Sequence, residues 1–112
     1  TSGIIQAWLQ CCLDTKDRAE AERAWSFMHE QDIIPTATCF ERMARMHLMQ
    51  EQYEEAFTLL EQTKQCALVP TRRMYAAMIW TCWQHNDERW RDLMQEMQEA
   101  RYEPGERLRA LS

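Results

Sequence analysis

The side chains best suited to holding a metal are Cys82 and His85, which lie three residues apart and share one face of a predicted helix. A finger-type zinc site needs a second ligand pair at similarly short spacing. The sequence has no such second pair. We therefore expect no metal site and no bound cofactor.

Motifs of catalysis are also missing. The chain has no glycine-rich phosphate loop, no nucleophile elbow and no zinc-protease histidine pair. Adjacent carboxylates at Glu54 and Glu55, and at Asp87 and Glu88, fall on polar faces of predicted helices, where solvation explains them. Its apolar runs are far shorter than the roughly 20 residues that cross a bilayer. The sequence predicts a binding module rather than an enzyme, with neither a small-molecule substrate nor a membrane partner.

The elements that carry these residues follow a repeat. Pro35, Pro70 and Pro104 lie 35 and 34 residues apart. Aligning them brings apolar residues into register at spacings of three, one and three, which is a single helical face. This face predicts the first helix of three successive hairpins. Its aligned sets are Ile5, Phe40 and Tyr75; Trp8, Met43 and Met78; Leu9, Ala44 and Ile79; and Cys12, His47 and Cys82.

A second apolar face follows a polar break in each repeat and predicts the second helix of the hairpin. Thr36 and Thr71 are placed to cap the next first helix. The aligned sets of the second helix are Ala21 and Ala56; Ala24, Leu59 and Leu93; Trp25, Leu60 and Met94; and Met28, Thr63 and Met97.

We assign the repeats to residues 2–36, 37–71 and 72–105, and interpret residues 106–112 as the start of a further helix. Helical hairpins of this length bury their apolar faces only against their neighbours. The predicted fold is therefore all-α, a right-handed α-α superhelix (a solenoid) of three stacked helical hairpins.

The repeat resembles the pentatricopeptide repeat in its large apolar residue near the start, central Ala, apolar pair, Met and final Pro with a small residue. The tetratricopeptide repeat is the rival. It would favour Gly or Ala where this chain has Leu9, Ala44 and Ile79, and Ala where it has Met28 and Met97. The matching residues are Ile5, Ala21, Ala24, Trp25, Met28, Pro35 and Thr36; Phe40, Ala56, Leu59, Leu60, Pro70 and Thr71; and Tyr75, Leu93, Met94, Met97, Pro104 and Gly105.

The resemblance implies binding of single-stranded RNA in mitochondria or chloroplasts, with a role in RNA processing, stability or translation. It also implies that the fifth and last residues of each repeat read one base. None of the three pairs is a usual base-reading pair. In two of them the side chains are poorly suited to hydrogen bonding with a base edge, because Ala and Gly have no polar group and an ionised Glu can only accept. We therefore expect no base-by-base code. The pairs are Gln6 with Thr36, Glu41 with Thr71, and Ala76 with Gly105.

Charge is distributed unevenly between the two sets of helices. The net charge of −5 argues against strong nonspecific binding of nucleic acid. The first helices nevertheless carry an excess of arginine, and the second helices are acidic. We expect a weak phosphate-contacting surface on the first helices. Its residues are Arg42, Arg45, Arg72 and Arg73.

Two further interpretations stay open. The unusual reading pairs and the acidic second helices also fit a protein-binding scaffold within a larger organellar ribonucleoprotein, such as a mitochondrial ribosome. Trp80 and Trp83, three residues apart, could stack a base, meet another protein or cover a neighbouring repeat. Of these roles we favour packing against a partner.

Overall fold

A computed structural model describes residues 2–111, and all regular secondary structure among them is helical, which confirms the all-α class. No helix in this range combines the length and the apolar character needed to span a bilayer. The helices are α1 (Ser2–Thr15), α2 (Arg18–Glu30), α3 (Ala37–Met49), α4 (Tyr53–Gln65), α5 (Arg72–Gln84), α6 (Arg89–Glu99) and α7 (Glu106–Arg109).

The chain divides into two compact units, the first ending at Pro70 and the second beginning at Thr71. In the first unit α1 packs against α2, and α3 packs against α4. Helix α3 also lies along α1 and touches α2, so the two hairpins sit side by side. In the second unit α5 packs against α6, and the short α7 contacts α5.

The first core is built from the faces that the periodicity predicts, with further apolar residues on two helices. Leu13 on α1 is buried beside the predicted face. Cys39 and Met46 are also fully buried, because α3 packs against α1, α2 and α4. On α1 the position equivalent to Cys39 is Ile4, which is 64% exposed. The predicted residues found buried here are Ile5, Leu9, Cys12, Ala21, Ala24, Met28, Phe40, Met43, Ala44, Ala56, Leu59, Leu60 and Thr63.

Three residues assigned to these faces are only half-buried: Trp8, Trp25 and His47. The polar edge of Trp8 is held near the surface, where its Nε1 donates a hydrogen bond to Glu20 at 3.1 Å. The Trp25 ring packs edge-on against Phe40, with 5.4 Å between centroids. An indole combines a large apolar body with one polar group, so it suits the rim of a core.

The second core lies between α5 and α6. Met74 and Leu108, outside the predicted faces, are buried with it. The Tyr75 hydroxyl donates to Glu96 at 3.4 Å, and burial together with this carboxylate raises the pKa of Tyr75 to about 12. Tyr75 thus stays neutral at physiological pH. The predicted residues buried in this unit are Tyr75, Met78, Ile79, Cys82, Leu93, Met94 and Met97.

The first six helices share one way of ending. After each comes a residue in the left-handed region, and the next backbone N–H donates to the carbonyl five residues back, as from Asp17 to Cys12 at 2.9 Å and from Ile33 to Met28 at 2.9 Å. This is the Schellman motif. Its left-handed residues, with φ between 53° and 66°, are Lys16, Asp32, Glu51, Ala67, Asn86 and Arg101, none of them glycine.

The predicted threonine caps are confirmed. The Thr36 hydroxyl accepts a hydrogen bond from the Cys39 N–H at 3.3 Å, and the Thr71 hydroxyl accepts one from the Met74 N–H at 3.1 Å. Each satisfies a backbone donor that the first turn of a helix leaves unpaired. The residue that follows each of the first two prolines therefore begins the next helix.

The charge of Asp87 contributes to the stability of the α5–α6 turn. The carboxylate accepts hydrogen bonds from the Arg89 guanidinium at 2.6 Å and from the Arg89 N–H at 3.0 Å, and these bonds lower the pKa of Asp87. A lowered folded-state pKa gives stability that is complete above the unfolded pKa, near 3.8, and is lost as the pH falls through the folded value.

We expect Asp87→Asn to reduce the free energy of unfolding by about 0.5 kcal/mol at pH 7, a small effect because the pair is partly exposed. Urea denaturation at pH 7 and at pH 3 measures it. The difference between the variant and the parent chain should shrink at the lower pH. A difference of equal size at both values would show that the charge of Asp87 is not its source.

Candidate nucleic-acid interface

In the first repeat the predicted reading pair is in direct contact. The Gln6 side-chain amide donates a hydrogen bond to the Thr36 hydroxyl at 2.6 Å. Gln6 lies on α1 and Thr36 immediately precedes α3, so the packing of α3 along α1 brings the two together. The Thr36 hydroxyl also accepts the capping bond from the Cys39 N–H. An incoming base edge would therefore have to share or replace this bond.

Arg42 connects the same two helices. Its Nη1 donates to the Gln6 backbone carbonyl at 2.6 Å, and its Nε is buried with no hydrogen-bond partner among the described residues. The half-buried guanidinium thus faces the helix pair, with its strongest contact inside the protein. Arg42, predicted to contact phosphate, serves here to hold α3 against α1.

Glu41 and Arg45, one turn apart on α3, form an ion pair. Arg45 Nη1 lies 3.3 Å from Glu41 Oε2. The Glu41 side chain is only 7% exposed, whereas that of Arg45 is 33% exposed. Glu41 is therefore withdrawn from the surface, and much of the positive charge of Arg45 is balanced within α3. The i, i+4 spacing of the two residues is a sequence signal for such a pair.

In the second unit the third predicted pair, Ala76 and Gly105, lines one cavity of about 290 Å³. Arg72 fixes the loop on one side, donating from its Nε to the Glu103 carbonyl at 2.9 Å. A Cβ on Gly105 would come within 3.3 Å of the Arg72 guanidinium, a tight contact that a small shift of the arginine side chain relieves. The cavity is lined by Arg72, Ala76, Ala77, Trp80, Gly105, Arg107 and Leu108.

A stack of flat groups forms one wall of this cavity. The Arg107 guanidinium carbon lies 3.5 Å from the centroid of the Trp80 ring, and Trp80 stacks on Trp83 with 5.5 Å between centroids and 23° between planes. A guanidinium over an indole is a favourable cation–π contact. The sequence interpretation missed Arg107. The neighbouring apolar residue Leu108 is buried in this unit, and its apolar character was the sequence signal that this segment packs against the rest of the chain.

Positive charge is concentrated around the same cavity. The side chains of Arg72, Arg73 and Arg107 are all exposed, while Arg109 pairs with Glu103 at 2.9 Å. Arg73 lies next to the cavity residue Arg72 at the start of α5. We name the surface formed by Arg72, Ala76, Trp80, Gly105 and Arg107 the α5 slot. Its apolar floor and cationic rim can accept a flat ring attached to an anionic chain.

Metal binding finds no geometric support in residues 2–111, where no group of three His, Cys, Asp or Glu side chains could hold an ion. Cys82 is buried whereas His85 is exposed. No model of a known protein family matches the chain, and no curated protein sequence matches it either.

Proposed function

We propose that this chain is a single-stranded RNA-binding module of the pentatricopeptide type, without catalytic activity, in which three hairpins stack into a right-handed α-α superhelix. The observation that carries the proposal is the pairing of the fifth and last residues. Gln6 contacts Thr36 on the first unit, and Ala76 and Gly105 line one cavity on the second. Support for the superhelix comes from the first unit, where α1 lies along α3.

In this proposal the α5 slot holds one base by its flat face. Ala76 and Gly105 have no side-chain donor or acceptor, so they cannot read a base edge. Trp80 and Arg107 instead offer flat surfaces, and stacking of a base on an aromatic ring contributes about 1–3 kcal/mol whatever the base. Arg72 and Arg73 are close enough along α5 to meet the adjoining phosphates. Binding is therefore tolerant of sequence.

The affinity should be modest. Arg42 and Arg45 have partners within the protein, which leaves the rim of the α5 slot as the main phosphate contact. With two or three phosphates neutralised, the slope of log K against log salt for a single strand is about −2. The site of action follows from the resemblance: a mitochondrion or a chloroplast, in RNA processing, stability or translation.

Fluorescence anisotropy across a salt series tests this function, with a labelled 12-nucleotide single-stranded RNA and a duplex of equal length. We expect preference for the single strand. Ala76→Leu, which fills the slot, should weaken binding about tenfold, or about 1.4 kcal/mol, with little change in slope. Arg73→Ala should make the slope shallower by about 0.7. Ala7→Leu, at an exposed position of α1, is the matched control.

Two outcomes would overturn the proposal: no binding at low salt by a chain that circular dichroism shows to be helical, or equal affinity for single strand and duplex. In either case the scaffold alternative becomes the better explanation. Its own test is the recovery of defined organellar ribonucleoprotein subunits on the chain after nuclease treatment.

A further inference from the structure

One apolar position of the repeat is buried in three places and exposed in a fourth. It is the fourth residue after each proline, and its buried members are Cys39, Met74 and Leu108, which are 0%, 0% and 4% exposed. The equivalent residue on α1, Ile4, is 64% exposed. All four side chains are apolar, so their different exposure reflects what packs on them. Helix α1 therefore presents an apolar surface of a kind that the chain covers at the equivalent positions.

In two of the buried cases the structure shows which helices pack around this position. Cys39 lies on α3, which packs against α1 and α2 of the preceding hairpin as well as against α4. Leu108 lies on α7, which packs against α5. In both cases a first helix of the repeat receives the first helix that follows it. The matching cover for Ile4 is therefore the outward face of another hairpin of this same kind.

The exposed surface on α1 continues along one face of the helix. Ala7 and Cys11 lie three and seven residues beyond the exposed isoleucine, and both are exposed. Their equivalents on α3 are engaged: Arg42 donates to the Gln6 carbonyl of α1, and Met46 is 1% exposed. The α1 face is formed by Ile, Ala and Cys side chains, so another helix can cover it without desolvating a charge. We name these three residues of α1 the docking stripe.

Helix α5 carries a receiving face that is only partly used. Gln6 marks the face of α1 that meets α3, and Leu13, seven residues further along the same face, is 6% exposed. The equivalents on α5 are Ala76, which lines the cavity shared with α7, and Trp83, which is 43% exposed. Helix α7 has four residues whereas α3 has 13. The short α7 thus occupies the start of the face and leaves the tryptophan open.

We propose that this chain associates head to tail with a second copy of itself, with α1 of one copy taking the place of α7 on α5 of the other. Ile4 then occupies the position of Leu108, and α1, with 14 residues, is long enough to reach Trp83 as well. Helix α7 competes with the second copy for this face. The two contacting surfaces differ, so the interface is heterologous and adds copies in open chains or closed rings. A contact of one helix pair is small, so the association is weak and depends on concentration.

Sedimentation velocity of the complete chain, over about a hundredfold range of concentration, tests the proposal. We expect a sedimentation coefficient that rises with concentration. Ile4→Glu places a charge in the docking stripe and should weaken the association about tenfold. Leu108→Glu releases α7 from α5 and should strengthen it about fivefold, because the receiving face is then free more of the time. Ile34→Glu is the matched control with unchanged association, since Ile34 is 82% exposed and belongs to neither surface.

Mixing two blocked variants separates head-to-tail association from symmetric pairing. Ile4→Glu keeps the receiving face intact, and Trp83→Glu keeps the docking stripe intact. Each variant alone should stay largely monomeric, whereas an equimolar mixture should form a dimer and stop there, with circular dichroism showing that both variants are helical.

Three results would each overturn the proposal. The first is a parent chain and a Leu108→Glu variant that both remain monomeric throughout the concentration range. The second is association that Ile4→Glu leaves unchanged, and the third is a mixture of the blocked variants that stays monomeric while the parent chain associates. The assay contains no RNA, so its outcome is independent of the proposed RNA binding.

Discussion

Ile5→Ala is expected to lower the free energy of unfolding by about 3 kcal/mol, the usual cost of removing three carbon atoms from a packed core. Ile5 is 0% exposed on the face of α1 that packs in the first core. Helix α1 packs against both α2 and α3, and a close-packed core of this kind relaxes only partly around a cavity. Urea denaturation followed by circular dichroism measures the change.

Its neighbour in the sequence is the control. Ile4 has the same side chain on the same helix, but it is 64% exposed. Ile4→Ala should therefore change the free energy of unfolding by less than about 0.5 kcal/mol. If the two alanine variants were equally stable, the orientation of α1 in this structure would be wrong.

A triple variant, Lys16→Gly, Glu51→Gly and Ala67→Gly, is expected to be more stable than the parent chain by about 2 kcal/mol. All three residues follow helices of the first unit and have φ between 57° and 60°. The left-handed conformation costs a residue with a Cβ about 1–2 kcal/mol, whereas glycine adopts it freely. Part of that gain is offset by the greater entropy of glycine in the unfolded chain.

The sign of the stability change separates relief of left-handed strain from a general effect of introducing glycine. Ala7→Gly places the same residue at an exposed position inside α1, where it should destabilise by about 1 kcal/mol. A triple variant less stable than its parent would contradict the left-handed assignment of these turns.

Helix positions and the main buried faces follow from the sequence because periodicity encodes them locally. Ile5, Leu9 and Phe40 are examples. The burial of Cys39 and Met46 could not be found in the same way. It depends on α3 packing against three helices, α1, α2 and α4, whereas α1 packs against α2 and α3; the equivalent residues on α1, Ile4 and Cys11, are exposed. One repeating pattern can therefore give different burial at equivalent positions.

The candidate site was less predictable for a related reason. Resemblance identified Gln6 with Thr36, and Ala76 with Gly105, but no sequence rule says that Arg42 bonds to a main-chain carbonyl of another helix. Every residue has such a carbonyl, so the choice depends on tertiary packing. The same is true of Arg107, which reaches Trp80 only because α7 folds back on α5. The Glu41–Arg45 pair, in contrast, is local.

The six left-handed turns have a consequence for how such a chain can diverge. Lys, Asp, Glu, Ala, Asn and Arg all adopt one conformation at these turns, because main-chain hydrogen bonds close them whatever the side chain. A mutation there alters stability slightly and the hairpin hardly at all. Genetic drift can therefore remove the glycine by which a helix end is usually recognised. The helical hairpin can therefore persist after the glycine that marks its helix ends in the sequence has been lost.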